Sequence, residues 1–333
     1  MVKKAFMENE FLVALVIIGV SLAIGISNRA FFTVANLFDL LKNSVIMGIF
    51  AIGVFIVIVS GGIDVSFTAI AVFSLYVTNK VLVGLNYQGT ILLAFLISAG
   101  IGTLLGIFNA IFISLYKIPT LIVTLGTQSI YRGFLLAFIG TTLIQDLPSG
   151  LIGFSKTYIL KATTPNGGIM GLPIAIILLI SIVFLCWLLL DYTMLGRGIY
   201  ALGGDRTAAE RAGFNVRTIE FFIYGFVGFL CGIAGIIHSS FARVANPFDL
   251  VGNELNVIAA VVLGGTKITG GHGTVLGTVL GVFLVVLVNN SLILLGVPSY
   301  WQKAVIGLLI LIGTALPAYK FNRSTSRLGI EVH

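Results

Sequence analysis

Charge is what this chain has least of. Only 9% of its 333 residues are Asp, Glu, Lys or Arg, against 58% hydrophobic, where a soluble domain carries about 25% charged residues. So little polar surface excludes a water-soluble enzyme, a secreted disulfide scaffold and a disordered segment. Cysteine is nearly absent. Cys186 and Cys231 both lie inside apolar runs, where a free cysteine serves as a packing residue. The sequence has no Cys/His cluster, no His-Glu-x-x-His and no G-x-x-x-x-G-K-[ST] phosphate loop. No metal site, cofactor or catalytic residue is therefore expected, and ATP hydrolysis by that route would need a separate subunit. The net charge of +7 fits loop charges that orient spans in a bilayer better than nucleic-acid binding.

What remains is an all-α polytopic membrane protein, since backbone in lipid must satisfy its own hydrogen bonds. Lys3 and Lys4 precede an apolar run over 11–26, as in a secretory signal. Glu8 and Glu10 interrupt the leading segment and no small-x-small site follows, so the run reads as a retained first helix. Apolar runs of spanning length predict ten spans: 11–27, 40–60, 65–85, 90–116, 120–141, 172–190, 219–241, 254–268, 272–295 and 301–318. With the N-terminus inside, eleven basic residues fall in inside segments: Lys3, Lys4, Lys117, Arg197, Arg206, Arg211, Arg217, Lys267, Lys320, Arg323 and Arg327. Five fall outside: Arg29, Lys80, Lys156, Lys161 and Arg243. That bias places both termini in the cytoplasm.

Two connections are long, 142–171 outside and 191–218 inside. The inside one carries Gly203-Gly204, which is expected to break any helix from the preceding span. Thr207-Ala208-Ala209-Glu210 reads as a capping box. A very short helix over about 208–212 follows, with Gly213 as its left-handed stop. Such a helix is either a docking knob for another protein or a tidy turn between spans. The length of the loop favours docking as much as the turn.

Both halves, roughly 40–141 and 219–318 of a single domain over 1–333, contain a diglycine at the end of an apolar run. Aligning Ser60-Gly61-Gly62 with Thr269-Gly270-Gly271 also brings Asn79 and Asn289 close. Interrupted apolar segments in matching positions point to a transport pathway. The other reading is that the glycines only let helices pack closely. Asp64 reads as a cap for the following helix, with a gating role as the alternative. Arg132, inside the fifth span, must face protein or water. His238 reads as a satisfied packing histidine. Few carboxylates are expected within the spans, which argues against a proton- or sodium-coupled carrier. Asn43, Ser44, Thr124, Thr127, Gln128 and Asn289 are the polar pore candidates.

Three ordered motifs then carry a resemblance. They are Ser60-Gly-Gly-Ile-Asp-Val-Ser66; Gly196 to Gly204 leading to Ala208-Ala209 and Gly213 to Val216; and Val262 to Thr266 followed by Gly270 to Thr278. Asn289 to Leu292 and Gly296 to Tyr300 continue it. The chain resembles, over nearly its whole length, a permease of the ribose-type sugar ABC importers. Asp205 stands where that family often has Asn, and Phe214 where it often has Ile.

The resemblance implies a type II-like ABC importer arrangement with a short cytoplasmic coupling helix in a bacterial inner membrane. It implies three protein partners besides membrane lipid: a cytoplasmic ATPase docked on 191–218, an extracytoplasmic solute-binding protein, and a second permease subunit, identical or related. The docking residues would be Gly196, Ala201, Gly203, Gly204, Ala208, Ala209, Gly213 and Asn215. Gly61, Gly62, Asp64, Gly270, Gly271 and Asn289 would belong to the pathway or its helix breaks. The expected activity is ATP-driven, alternating-access import of a sugar or sugar-like solute: a pentose, hexose, deoxysugar, autoinducer-2 or nucleoside. The alternatives are a secondary carrier or channel working without an ATPase and, less well supported by the side chains, an intramembrane enzyme.

Overall fold

In a computed structural model of the chain, the described residues are 2–163, 169–298, 301, 304, 305, 307, 308 and 311. In chain order they form α1 (Val2–Ser27), α2 (Val34–Val59), α3 (Phe67–Gly84) and α4 (Ile91–Ala110). After α5 (Thr120–Phe134) come the short α6 (Ser149–Ser155) and an antiparallel hairpin of β1 (Tyr158–Thr163) and β2 (Ile169–Pro173). Then follow α7 (Ala175–Tyr192), α8 (Met194–Gly204), α9 (Arg206–Arg211), α10 (Val216–Ala242), α11 (Glu254–Leu263) and α12 (Val275–Leu294). Single π-helical turns, Ile111–Leu115 and Leu135–Ile139, extend α4 and α5.

Eight of these helices are long and apolar enough to cross a membrane: α1–α5, α7, α10 and α12. The expected span at 254–268 is corrected. Gly264 follows the last residue of α11, Gly265 turns left-handed at φ +94°, and the helix stops after ten residues. At 1.5 Å per residue that is about 15 Å, half of a bilayer core. The span expected from 65 begins at Phe67, because 61–66 is not helical. The long connection 142–171 holds, among its described residues, α6 and most of the hairpin. The tenth expected span, 301–318, and the basic tail lie almost wholly outside the described residues.

The core is a helix that is apolar all round. Along α2, Val45, Ile49, Val54 to Val57 and Val59 have no exposure at all, as expected of a helix enclosed by others. The closest helix pair is α4 against α10. A Cβ on Gly102 would lie 2.1 Å from the Gly228 carbonyl oxygen, and one on Gly106 would lie 2.1 Å from that of Tyr224. Gly232 meets the Ser98 carbonyl in the same way, at 2.3 Å, and the Ser98 hydroxyl donates to the Gly232 carbonyl at 2.8 Å. Lipid gives no hydrophobic drive between helices, so close backbone contact at small residues does the joining.

The molecule has two unlike ends. Lys117, Arg197, Arg206, Arg217 and Lys267 gather at one, where α2, α4 and α7 finish and α3, α5, α10 and α12 begin. At the far end, Arg243 donates to Ser155 (3.3 Å) and Lys80 donates to the Ile139 carbonyl. There 144 and 245 also pair as an isolated bridge.

Candidate functional site

At the basic end three diglycines meet. The Gly271 N–H donates to the Val59 carbonyl at 2.8 Å. A Cβ on Gly203 would lie 1.8 Å from that same oxygen, and one on Gly270 would lie 2.8 Å from the Gly61 Cα. Gly61 (φ +85°), Gly270 (+87°) and Gly271 (+71°) are left-handed, a conformation that glycine adopts without steric cost. The first break, the second break and the end of α8 therefore touch backbone to backbone. The Tyr200 hydroxyl adds a tie from α8 to the second break, donating to the Gly273 carbonyl at 2.9 Å. Gly62 sits where a Cβ would be 2.9 Å from the Tyr224 hydroxyl. Asn289 is not at this junction. It lies fourteen residues into α12, about 21 Å along that helix.

The connection after α7 is helical for longer than expected. Gly203-Gly204 does not break a helix: α8 runs through both glycines and stops at Asp205. The expected capping box is also corrected. Asp205, not Thr207, caps α9 by accepting from the Ala208 N–H at 2.9 Å. Glu210 turns instead to Arg206 at 3.4 Å. A carboxylate outcompetes a hydroxyl for a helix N-terminus because it also meets the dipole. The left-handed stop at Gly213 is found, at φ +87°. Phe214 N–H bonds the Ala209 carbonyl and Gly213 N–H that of Glu210, as in a Schellman motif.

The expected docking residues divide into two sets. Gly196, Gly203 and Ala209 face inward, with Ala201 half-buried, while Gly204, Ala208, Gly213 and Asn215 face out. Asn215 also caps α10 by accepting from the Thr218 N–H. Arg206 links the short α9 to α10 by a forked contact with Glu220, at 2.6 and 3.3 Å. Burial works against the Arg206 charge, but Glu220 and Glu210 outweigh it and hold the guanidinium above its ordinary range. Ser114, Lys117, Arg206, Glu210, Phe214 and Arg217 line a cavity of about 300 Å³ beside this contact.

Carboxylates buried among the described residues are few, and Glu220 is at the basic end. Asp64, Glu220 and Glu254 are 1%, 5% and 8% exposed. Asp64 accepts from the Ser66 N–H and hydroxyl, both at 2.7 Å, and so holds the residue at the N-cap of α3. Its second oxygen has no partner among the described residues. Asn109 donates to the Ser66 hydroxyl (2.8 Å), and Tyr131 donates to Asn109 (3.1 Å).

Helix α5 carries a polar group every fourth residue. Thr120 and Thr124 accept from the N–H groups of Ile63 and Val65, at 3.0 and 3.4 Å. Gln128 donates to Glu254 at 2.9 Å. Arg132, the next rung, is exposed, and no side chain among the described residues pairs with it. Thr124, Thr127 and Ser44 bond to backbone carbonyls, and Asn43 is exposed. His238 meets Asp249 at 3.1 Å, so it is satisfied. Glu254 escaped the sequence reading because it opens an apolar run, where a span boundary in water was expected. The signal available was Asn253-Glu254, which suits a helix N-terminus.

The family model for the permease component of branched-chain amino acid transport systems matches residues 36–313. The ribose import permease protein RbsC of Haemophilus influenzae is 32% identical over 94% of this chain and 93% of its own length. RbsC of Bacillus subtilis is 36% identical over 89% of each chain. The autoinducer 2 import system permease protein LsrC of Yersinia pseudotuberculosis is 31% identical over 92% of this chain and 84% of its own. No solved structure matches.

Proposed function

The chain belongs to the transport-system permease family, in its ribose-type ABC importer branch, and from that premise we propose how it moves its solute. It is a multi-pass inner-membrane permease subunit of an ATP-driven importer, and its cargo is a sugar or sugar-like molecule. A cytoplasmic ATPase and an extracytoplasmic binding protein work with it. The basic end is the cytoplasmic one, with both termini there, as the gathering of Lys117, Arg197, Arg206, Arg217 and Lys267 supports. The ATPase docks on the outward face of α9 and its flanks, at Gly204, Ala208, Gly213 and Asn215. The inward set, Gly196, Gly203 and Ala209, seats that knuckle on the membrane helices.

One observation carries the mechanism: α8 ends on both helix breaks at once, through Gly203 against Val59, Gly61 and Gly271. A push on 191–218 thereby reaches the first and second halves together. Rocking the two halves about the junction exchanges the open side. A second permease subunit covers α5. That helix exposes Arg132 together with Gly126, Ser129 and Gly133, and an arginine at membrane depth needs protein or water beside it.

Sealed vesicles test the reading. The permease reconstituted with its ATPase and binding protein is expected to accumulate sugar only when ATP is inside, where the ATPase binds. The permease alone is expected to move none. Rapid sugar flux through the lone subunit would establish a carrier or channel instead.

A further inference from the structure

Glu254 begins α11 at half depth. Gln128, its partner, lies eight residues into α5 from the basic end, about 12 Å along a core of about 30 Å. All three groups donating to the Glu254 carboxylate are neutral. Thr68 and Gln128 give to Oε1, and the Gly252 N–H gives to Oε2 at 2.8 Å. No ion pair neutralises it among the described residues. A carboxylate held at that depth by neutral donors alone is costly and marks a working group. The backbone before it, 243–253, is irregular. Irregular backbone at membrane depth persists only where protein buries it or where it lines a watery cavity.

One further observation faces the same place. Arg132 lies one turn beyond Gln128 on the same side of α5, exposed, with no side-chain partner among the described residues. An acceptor with an unused lone pair (Glu254), an amide (Gln128) and a donor fork with no side-chain partner among the described residues (Arg132) thus succeed one another beside α5.

We propose that Glu254, Gln128 and Arg132 form a transit site for the solute, built for a neutral polyhydroxylated ring. Each ring hydroxyl both donates and accepts, and the site offers both complements, with Arg132 one helical turn from the Gln128 that meets Glu254. Glu254 and Arg132 balance in charge, so neither an anionic nor a cationic cargo gains from both. The inference rests on the importer reading and adds to it which residues of this chain touch the sugar.

The test uses the complete transporter in proteoliposomes, with wild type, Glu254→Gln, Gln128→Ala and Arg132→Gln. Uptake of D-ribose, D-xylose and D-glucose is measured alongside ATP hydrolysis stimulated by the loaded binding protein. Wild type is expected to move at least one of these sugars. In the variants the sugar moved per ATP is expected to fall about tenfold, the loss that about 1.4 kcal/mol of binding gives, while stimulated hydrolysis stays near wild type. Arg132→Lys, which keeps the charge, is expected to restore part of the ratio. A general structural defect would lower uptake and hydrolysis together and leave their ratio unmoved. Should Glu254→Gln fail to fold, Gln128→Ala and Arg132→Gln decide alone, since those side chains are half-buried and exposed. An unchanged ratio in those two overturns the transit site. A wild-type transporter that moves none of the three sugars overturns the sugar-importer reading instead.

Discussion

Along the α4–α10 seam glycine sits inside regular helix, and at the diglycine junction it sits where helix stops. In the seam, Gly102, Gly106, Gly228 and Gly232 bring two backbones together over their length, without a left-handed residue among them. At the junction, Gly61, Gly270 and Gly271 are all left-handed, and three separate segments meet at a point. The seam spreads its contact over several turns, so it resists sliding and bending. At the junction only the last residues of α8 are helical, and the two breaks meet them through backbone. Close packing, one of the two readings the sequence offered for the diglycines, is present at both places.

The most damaging way to break that contrast is Gly228→Val. Its Cβ would lie 2.0 Å from the Gly102 carbonyl oxygen, and only separation of the helices relieves that. A loss of about 3–4 kcal/mol is expected, read as loss of monodisperse protein after detergent extraction. Normal yield and melting temperature would show that the seam is not fixed. Gly270→Ala at the junction is the milder counterpart. It costs about 1–2 kcal/mol for a left-handed alanine and presses on Gly61. Folded protein is expected to persist while ATP-driven uptake falls more than uptake falls in Gly100→Ala, a helical glycine with open space around it.

Arg206→Ala separates α9 from α10 and leaves Glu220 unpaired. About 2 kcal/mol is expected, discounted because Arg206 is partly exposed. The companion Glu220→Gln should recover part of it, and a double-mutant cycle on thermal unfolding measures the coupling. Smallest in stability is Ala208→Trp on the outward face of α9, within about 0.5 kcal/mol of wild type. Its effect is expected in co-purification of the ATPase, which should weaken. An ATPase retained at the wild-type level would move the docking site elsewhere.

Span positions were legible in the sequence wherever a long apolar run formed a whole helix, as over α2, α10 and α12. Reading failed where a run looked continuous and the backbone broke: 254–268 has the hydropathy of a span, but Gly264-Gly265 ends its helix halfway. Gly61, Gly270, Gly271 and Gly213 announced themselves because their left-handed backbone suits glycine. Their meeting with Gly203 was invisible, since contact between residues 61, 203 and 270 is a property of packing. Glu254 was missed for the same reason, and Thr124, Gln128 and Arg132 stood out only singly, not as a ladder. Thr120, Thr124 and Gln128 are ordinary residues until the breaks they serve are known. The preference for Thr207 over Asp205 as a cap was a misjudgement of local chemistry, which the sequence itself held the means to avoid.

The Arg206–Glu220 contact has a mechanical consequence. It fastens a six-residue helix to one end of α10, a rod of 27 residues and therefore about 40 Å long. The other end of that rod bears His238 on Asp249 and, just past its last turn, Arg243 on Ser155. With the rod stiff along its glycine seam, each degree of tilt applied at the knuckle swings the opposite tip by about 0.7 Å for that length. With the ATPase docked there as proposed, a lever of this ratio would carry a few degrees of its motion to those two contacts on the opposite face.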